Sequence, residues 1–345
     1  MKTLLVLLVA GTLFAQNQPA VSNSKVETRA YSVDLSSEIR SQPATWFGYA
    51  VKAMTGDHQN CCWNNSVQCG CRLEGGSGTF VSGSQPPQTQ SPVQLESPAA
   101  VAVLFRVANN VVEKVQVYSL SCPLDAGGVP FVWLTGVPAG ASLTYLEKLA
   151  TTNATDHVMD GAILAISEHD DPQADKLLDR LALAPQPERV REKSIFWLGA
   201  SRGATGVPIL KSLLANDTSE HIRDKAVFAL SISSGQPAAL DALIAAAKSD
   251  PSPHIRGQAL FWLAQKAGKR ASGAISDAIE NDPDTHVKEH AVFALSQLPK
   301  DEGIPKLIEV ARSQKNPEVR KKAFFWLGQS GDPRALAFIE QVLIN

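Results

Sequence analysis

Five cysteines in the N-terminal half are the residues whose chemistry is easiest to name. They are Cys61, Cys62, Cys69, Cys71 and Cys122. Adjacent Cys61 and Cys62 are poorly placed to pair with each other, so we expect two disulfides to Cys69, Cys71 or Cys122 and one remaining thiol. A thiolate metal site or a redox pair is the alternative, but Cys-Cys and Cys-x-Cys spacings differ from the paired Cys-x-x-Cys of zinc sites. Disulfides are favoured.

Familiar catalytic motifs are missing from the sequence. It has no Gly-x-Ser-x-Gly, no Gly-Lys-Ser/Thr phosphate loop and no His-Glu-x-x-His. Asp57 and His58 precede Cys61 and Cys62, but nearness along the chain does not establish an acid–base and nucleophile geometry. We therefore predict a protein that is not an enzyme and that uses no cofactor or metal.

The first fifteen residues have the pattern of a secretory signal peptide. Lys2 precedes an apolar run, and small residues lead to a predicted cleavage after Ala15. No later segment approaches the roughly 20 apolar residues that span a bilayer. We expect an exported protein, periplasmic or secreted, with no integral membrane segment after signal removal.

Charge and composition exclude one class of partner. The chain of 345 residues has 32 basic and 34 acidic side chains, with a formal net charge of −2. Phosphate-backbone affinity depends on clustered Lys and Arg. Nucleic acid is therefore not an expected partner.

Two regions follow the signal before the helical part begins. Residues 16–42 are polar and Ser-rich, as in a linker or a loosely held first strand. Residues 43–138 contain the cysteines and short β-type runs, which predict a small β-rich domain. The runs are 46–51, 99–107, 111–120 and 129–134. Asn109 and Asn110 predict a hairpin turn, and the Ser/Gln/Pro stretch at 82–92 predicts an exposed loop.

From about residue 140 to the end, six segments repeat in register. Each begins with Val or Ile, usually has Ala at position five, and ends with Leu or Ile at position nine. Their first residues are spaced 32 or 33 apart, at Val158, Val190, Ile222, Ile255, Val287 and Val319. Apolar first helices, such as 207–214 and 238–245, lie between them. A hairpin cannot bury its apolar face alone, so six hairpins should stack into a solenoid.

This pattern resembles the HEAT-like repeats of the short bacterial type, including those named after phycobilisome lyases. Residues 323–335, Ala-Phe-Phe-Trp-Leu-Gly-Gln-Ser-Gly-Asp-Pro-Arg-Ala, show it most fully. The resemblance implies an α+β protein in which an α-solenoid of about six HEAT-like hairpins at 140–345 follows the disulfide-containing β-rich domain. It also implies a binding scaffold. Cys-Pro-Leu-Asp-Ala-Gly-Gly at 122–128 resembles a segment preceding such repeats in exported bacterial proteins, which implies a shared architecture.

Position seven of the second helices carries an unexpected phenylalanine column. Helical geometry places positions one, five, eight and nine in the core, including Trp197 and Trp326, and position seven on the opposite, concave wall. Two interpretations stay open. Each ring packs on the next helix as a hydrophobic spine, or the rings stay accessible and form a docking groove. The column is Phe196, Phe228, Phe261, Phe293 and Phe325.

Three further columns have packing interpretations. Trp197, Trp262 and Trp326 alternate with Ala229 and Ala294, as large and small residues filling one stack do. The basic column favours ion pairs with acids of the preceding turns (Asp217, Asp250 and Asp282) over phosphate binding; it is Arg191, Arg223, Arg256, Lys288 and Arg320. A histidine-rich column before position one is too widely spaced between equivalent residues for a zinc site. Its members are His157, Arg189, His221, His254, His286 and Glu318.

Together these patterns predict a non-enzymatic interaction or scaffold protein of the bacterial envelope or exterior. A protein or peptide partner would bind on the concave helical face. Two alternatives remain: an enzyme or redox accessory protein that uses the cysteine region, and a glycan-binding protein that uses exposed aromatic rings.

Overall fold

A computed structural model describes residues 18–54, 60–64, 67–75, 79–80, 100–152, 155–233 and 235–344. The predicted signal peptide, the loop at 82–92 and the pair Asp57 and His58 lie outside these ranges. The chain divides into two compact units, Met1–Asp171 and Pro172–Asn345. Among the described residues, no helix has the length and apolar character needed to cross a bilayer.

The first unit holds two β-sheets and the first helical hairpin. The strands and helices occur in the order β1 (Val21–Ser22), β2 (Val26–Ala30), α1 (Leu35–Glu38), β3 (Thr45–Lys52), β4 (Cys62–Asn64), β5 (Val67–Arg72), β6 (Thr79–Phe80), β7 (Ala100–Ala108), β8 (Val111–Ser119), β9 (Leu124–Asp125), β10 (Phe131–Thr135), α2 (Ala139–Thr151) and α3 (Asp156–Glu168).

The larger sheet has the strand order β2-β10-β3-β7-β8. The first three strands are parallel, and β3, β7 and β8 are antiparallel. The four predicted β-runs coincide with β3, β7, β8 and β10 to within about two residues at each end, as is usual for element boundaries. Asn109 and Asn110 make the predicted turn with φ of 51° and 59°. Residues 16–42, expected to be a linker or a loosely held first strand, contain β1 and β2, and β2 pairs with β10 at the sheet edge.

Strand β3 lies at the centre of three layers, and its alternating side chains pack on both faces. Trp46 and Ala50 share a core with the cysteine-bearing smaller sheet, whose strand order is β1-β9-β5-β4 with β6 paired to β5. Tyr49 faces the opposite way, 5.6 Å from the Phe105 ring and hydrogen-bonded to α2. Helix α3 lies so close to β8 that a Cβ at Gly161 would overlap the Val115 carbonyl.

Two disulfides connect the cysteine region. Cys61 pairs with Cys122, and Cys62 with Cys71, at Cα separations of 5.7 and 5.4 Å. The disulfide prediction is confirmed for these four residues, which are therefore neither thiolate ligands nor free nucleophiles. Cys69 is the fifth cysteine, and its side chain lies outside the described set.

Among the described residues of the second unit, all regular elements are helices. They are α4 (Pro172–Ala182), α5 (Glu188–Ala200), α6 (Gly203–Asn216), α7 (Glu220–Ile232), α8 (Pro237–Ser249), α9 (Pro253–Ala267), α10 (Lys269–Asn281), α11 (Thr285–Gln297), α12 (Lys300–Ser313), α13 (Pro317–Gln329) and α14 (Pro333–Ile344). Side chains of Ser219, Ser252, Asp284 and Asn316 cap four of the second helices. The six predicted second helices are α3, α5, α7, α9, α11 and α13, so the helical-hairpin prediction is confirmed.

Candidate binding surface

The core stripe of the second helices follows the repeat pattern, with one exception at position eight. Val190, Ser194 and Leu198 are at most 3% exposed. Trp197 and Trp326, predicted in the same core, are only partly buried. The core prediction for these tryptophans is therefore wrong, because their indoles turn towards the neighbouring phenylalanines.

Eight aromatic rings form one continuous series along the second helices of the second unit, which we call the aromatic ladder. Successive ring centroids are 4.9 to 6.4 Å apart, which is the range of favourable aromatic pairs. In order, the rings are Trp197, Phe196, Phe228, Trp262, Phe261, Phe293, Trp326 and Phe325. All five phenylalanines of the predicted column are thus rings of the ladder.

The alternation at position eight explains how the ladder stays continuous. Phe228 stacks on Phe196 at 6.4 Å and contacts the next repeat's Trp262 at 5.3 Å. Ala229, the neighbour of Phe228, is fully buried and too small to compete for that space. The same arrangement recurs with Phe293 between Phe261 and Trp326. A tryptophan in every second repeat therefore fills the gap between successive pairs of stacked phenylalanines.

The ladder is most accessible at the phenylalanines of its first and last repeats. Phe196 is 37% exposed and Phe325 is 52% exposed, whereas the middle rings are partly buried. The two interpretations of the phenylalanine column therefore describe the same feature. The ring faces stack on one another as a spine, and the remaining surface is open to solvent.

Polar contacts between neighbouring repeats flank the ladder one helical turn away. His221 Nε2 lies 2.6 Å from Glu192 Oε1, and His254 Nε2 lies 3.4 Å from Asp224 Oδ1. Farther along, Lys322 Nζ is 4.0 Å from Glu289 Oε2. Histidines of the histidine-rich column thus meet acids of the preceding repeat.

The basic column is occupied by structural contacts, as predicted, but the ion pairs run in the other direction. Arg223 pairs with Asp250 and Arg256 with Asp282, both at the turn that follows, at 2.7 to 3.2 Å. Arg191 pairs with Asp217 in the same way. The predicted pairing with the preceding turn is wrong, because that turn is held through a backbone carbonyl instead: Arg223 Nη1 donates to the Asp217 carbonyl at 3.0 Å.

The last two members of this column replace the ion pair with carbonyl contacts. Lys288 Nζ donates to the carbonyls of Ile279 and Glu280 at 2.9 and 2.6 Å. Gln314 stands where the following turn would supply an aspartate, and its amide donates to the Ile279 carbonyl at 3.2 Å. At Lys288 the guanidinium and the carboxylate are therefore replaced together, whereas Arg320 keeps its guanidinium and donates to the carbonyls of Gln314 and Lys315.

Burial and hydrogen bonding act in opposite directions on the Asp282 carboxyl. Desolvation raises its pKa, while the hydrogen bond from Arg256 and the backbone N–H of Asp284 lower it, and the net result is a lowered pKa. The same hydrogen bond raises the pKa of Arg256. Both groups are therefore charged at neutral pH.

A serine and a histidine meet in the first unit, but in a closed environment. Ser142 Oγ lies 2.9 Å from His169 Nε2 and 2.8 Å from the Tyr49 hydroxyl, and all three residues are at most 1% exposed. His169 Nδ1 contacts the Ala165 carbonyl at 2.7 Å, and burial raises the pKa of Tyr49. With Ser142 fully buried, this network joins β3 to α2 and α3 and does not present a nucleophile.

Comparison with known protein families finds a match within the repeat region. Residues 182–264 and 272–345 match HEAT repeats. No curated protein matches the chain at a significant level. Among solved structures, human deoxyhypusine hydroxylase matches with 17% identity over 58% of this chain and 88% of its own, at a TM-score of 0.26.

Two further structures match over parts of the chain. The CpcE–CpcF complex of phycocyanin lyase from Nostoc shares 23% identity over 45% of this chain and 99% of its own, at a TM-score of 0.35. A chain of the Kap95p–RanGDP structure shares 17% identity over 60% of this chain, at a TM-score of 0.39, and only 33% of its length is spanned. At these identities the likeness concerns the fold alone. The C-terminal region contains segments that match HEAT repeats.

Proposed function

We propose that this chain is an exported, non-enzymatic binding protein whose aromatic ladder docks an extended segment of a protein partner. The observation that carries the proposal is the unbroken series of eight rings, accessible at Phe196 and Phe325. Contiguous exposed apolar surface is typical of interaction sites, and aromatic side chains dominate their binding energy. Stacked repeats supply extended surfaces of this kind.

The spacing of the repeats favours a particular conformation of the partner. Adjacent packed helices are separated by about 8–10 Å. In a polyproline II segment, every third side chain returns to the same face after about 9 Å. An extended partner with an apolar residue at every third position would therefore place one side chain against each successive repeat.

Export is supported by the cysteine chemistry together with the signal-like N-terminus. The pairs Cys61–Cys122 and Cys62–Cys71 are disulfides, which persist in oxidising compartments. We place the protein in the bacterial envelope or exterior on this basis. As disulfides, these four residues present no free thiolate for metal binding or nucleophilic attack.

The test compares two labelled peptides of identical composition. One carries four Leu-Pro-Pro repeats, and the other carries its leucines in one contiguous block. The periodic peptide should bind the full chain at least about tenfold more tightly in fluorescence anisotropy, a difference of about 1.4 kcal/mol. Equal affinity, or tighter binding of the block peptide, would refute the proposed docking mode.

A further inference from the structure

Three potential metal ligands converge where the second helices of two adjacent repeats meet. Glu188 and Glu192 lie one turn apart on α5, and His221 lies at the start of α7. One ligand atom from each residue lies within 4.8 Å of the other two. Glu188 and His221 are exposed and Glu192 is partly buried, so an ion can reach the group from solvent.

We propose that Glu188, Glu192 and His221 form a binding site for a divalent transition-metal ion of the zinc class. Such ions take imidazole nitrogen and carboxylate oxygen ligands at about 2.0–2.2 Å, and three protein ligands leave at least one position open. Donors around one ion at these distances are separated by at most about 4 Å, so small side-chain rotations close the group. The imidazole ligand favours zinc, nickel or copper over magnesium and calcium, which prefer oxygen.

The site depends on contacts between non-equivalent positions of adjacent repeats, which the spacing of equivalent residues does not predict. Equivalent histidines of successive repeats are too far apart to share an ion. His221, however, lies opposite positions of the preceding repeat that are not its equivalents, and its Nε2 already contacts Glu192 Oε1 at 2.6 Å. The carboxylate and the imidazole are thus held in place before an ion arrives.

The next repeat supplies a natural comparison. Glu220, Asp224 and His254 occupy the same three positions one repeat later. Asp224 is one methylene shorter than Glu192, and the contact of its Oδ1 with His254 Nε2 lengthens to 3.4 Å. Among the described residues, only the group on α5 and α7 satisfies the 4.8 Å separation. The proposed site is therefore specific to one junction.

The proposed metal site lies close to the aromatic ladder. Glu192 is four residues before Phe196, so this ligand lies about one helical turn, roughly 6 Å along the axis, from the exposed ring of Phe196. The metal proposal does not depend on the ladder being a docking surface, because the ion is held by this chain's own side chains.

The experiment uses the full chain with Cys69→Ser, so that no thiol competes, after treatment with chelator and dialysis. Titration with Zn²⁺ in a calorimeter, and with Co²⁺ in a spectrophotometer, should give one ion per chain. His221→Ala and Glu192→Gln should each weaken Zn²⁺ binding more than about tenfold, since even outer-shell changes at metal sites cost 10–100-fold.

His254→Ala is the matched control and should bind Zn²⁺ like the parent. Both histidines are about half exposed, with side-chain exposures of 46% and 53%, so neither variant should disturb the helices, which circular dichroism checks. Absence of binding, unchanged affinity in the His221 variant, or a loss confined to the His254 variant would each overturn the proposal.

Discussion

The guanidinium of Arg223 lies 3.0 Å from the carboxylate of Asp250, in the turn between the two helices of the next repeat, and both side chains are more than nine-tenths buried. The same arginine also donates to the carbonyl of Asp217 in its own preceding turn. One side chain therefore ties together two successive turns. Asp250 is held in turn by the backbone N–H of Ser252 at 2.8 Å.

Replacing Arg223 should destabilise the repeat unit strongly. Arg223→Met leaves the Asp250 carboxylate buried without its cation, and the expected loss is about 3 kcal/mol in the free energy of unfolding. Arg270→Met is the control, because the Arg270–Asp241 pair is more than half exposed and should be worth less than about 1 kcal/mol. Urea denaturation measures both variants, and equal losses would refute the role assigned to the buried pair.

The Arg256–Asp282 pair predicts a specific dependence of stability on pH. The folded pKa of Asp282 is below its ordinary value of 3.8. Its contribution is therefore complete above the unfolded pKa and is lost as the pH falls through the folded pKa. Thermal melting of the wild type should drop more steeply between about pH 5 and pH 3 than that of Asp282→Asn. Parallel curves for the two proteins would contradict this assignment.

The cysteine connectivity predicts a definite number of free thiols. Alkylation of the denatured, unreduced protein should label one cysteine, Cys69, and alkylation after reduction should label all five. Mass spectrometry counts the labels, and three or more before reduction would rule out two disulfides. Reduction should also cost the first unit about 2–5 kcal/mol, measured by tryptophan fluorescence during unfolding.

The periodicity of the sequence was sufficient to predict the solenoid, because each second helix repeats one apolar stripe and each hairpin needs its neighbours to bury it. Strand β2, with the sequence Val-Glu-Thr-Arg-Ala, was harder to recognise. It lies at a sheet edge and is mostly exposed, so its composition is that of a linker as much as of a strand.

Helical periodicity within one repeat does not predict which side chains of neighbouring repeats contact each other. Helical geometry placed Trp262 on the core stripe, but the small Ala229 of the preceding repeat leaves room for the indole to contact Phe228 instead. The alternation of tryptophan and alanine at position eight was the feature of the sequence that could have indicated this contact. The contact of His221 with Glu192 depends on the axial offset between two helices, which no single-repeat pattern contains.

The most direct test of the aromatic ladder as a docking surface is the affinity of the labelled Leu-Pro-Pro peptide for a double variant, Phe261→Ser with Phe293→Ser. These two rings stack at 5.9 Å in the middle of the ladder, and central aromatic contacts carry about 2 kcal/mol or more each in binding. Leu336→Ser is the control, since Leu336 is 59% exposed on α14 and is not one of the ladder rings. The account predicts at least about tenfold weaker binding by the double variant, with helical circular dichroism retained and the control unchanged. Undiminished binding by the double variant, or loss of its helical structure, would contradict it.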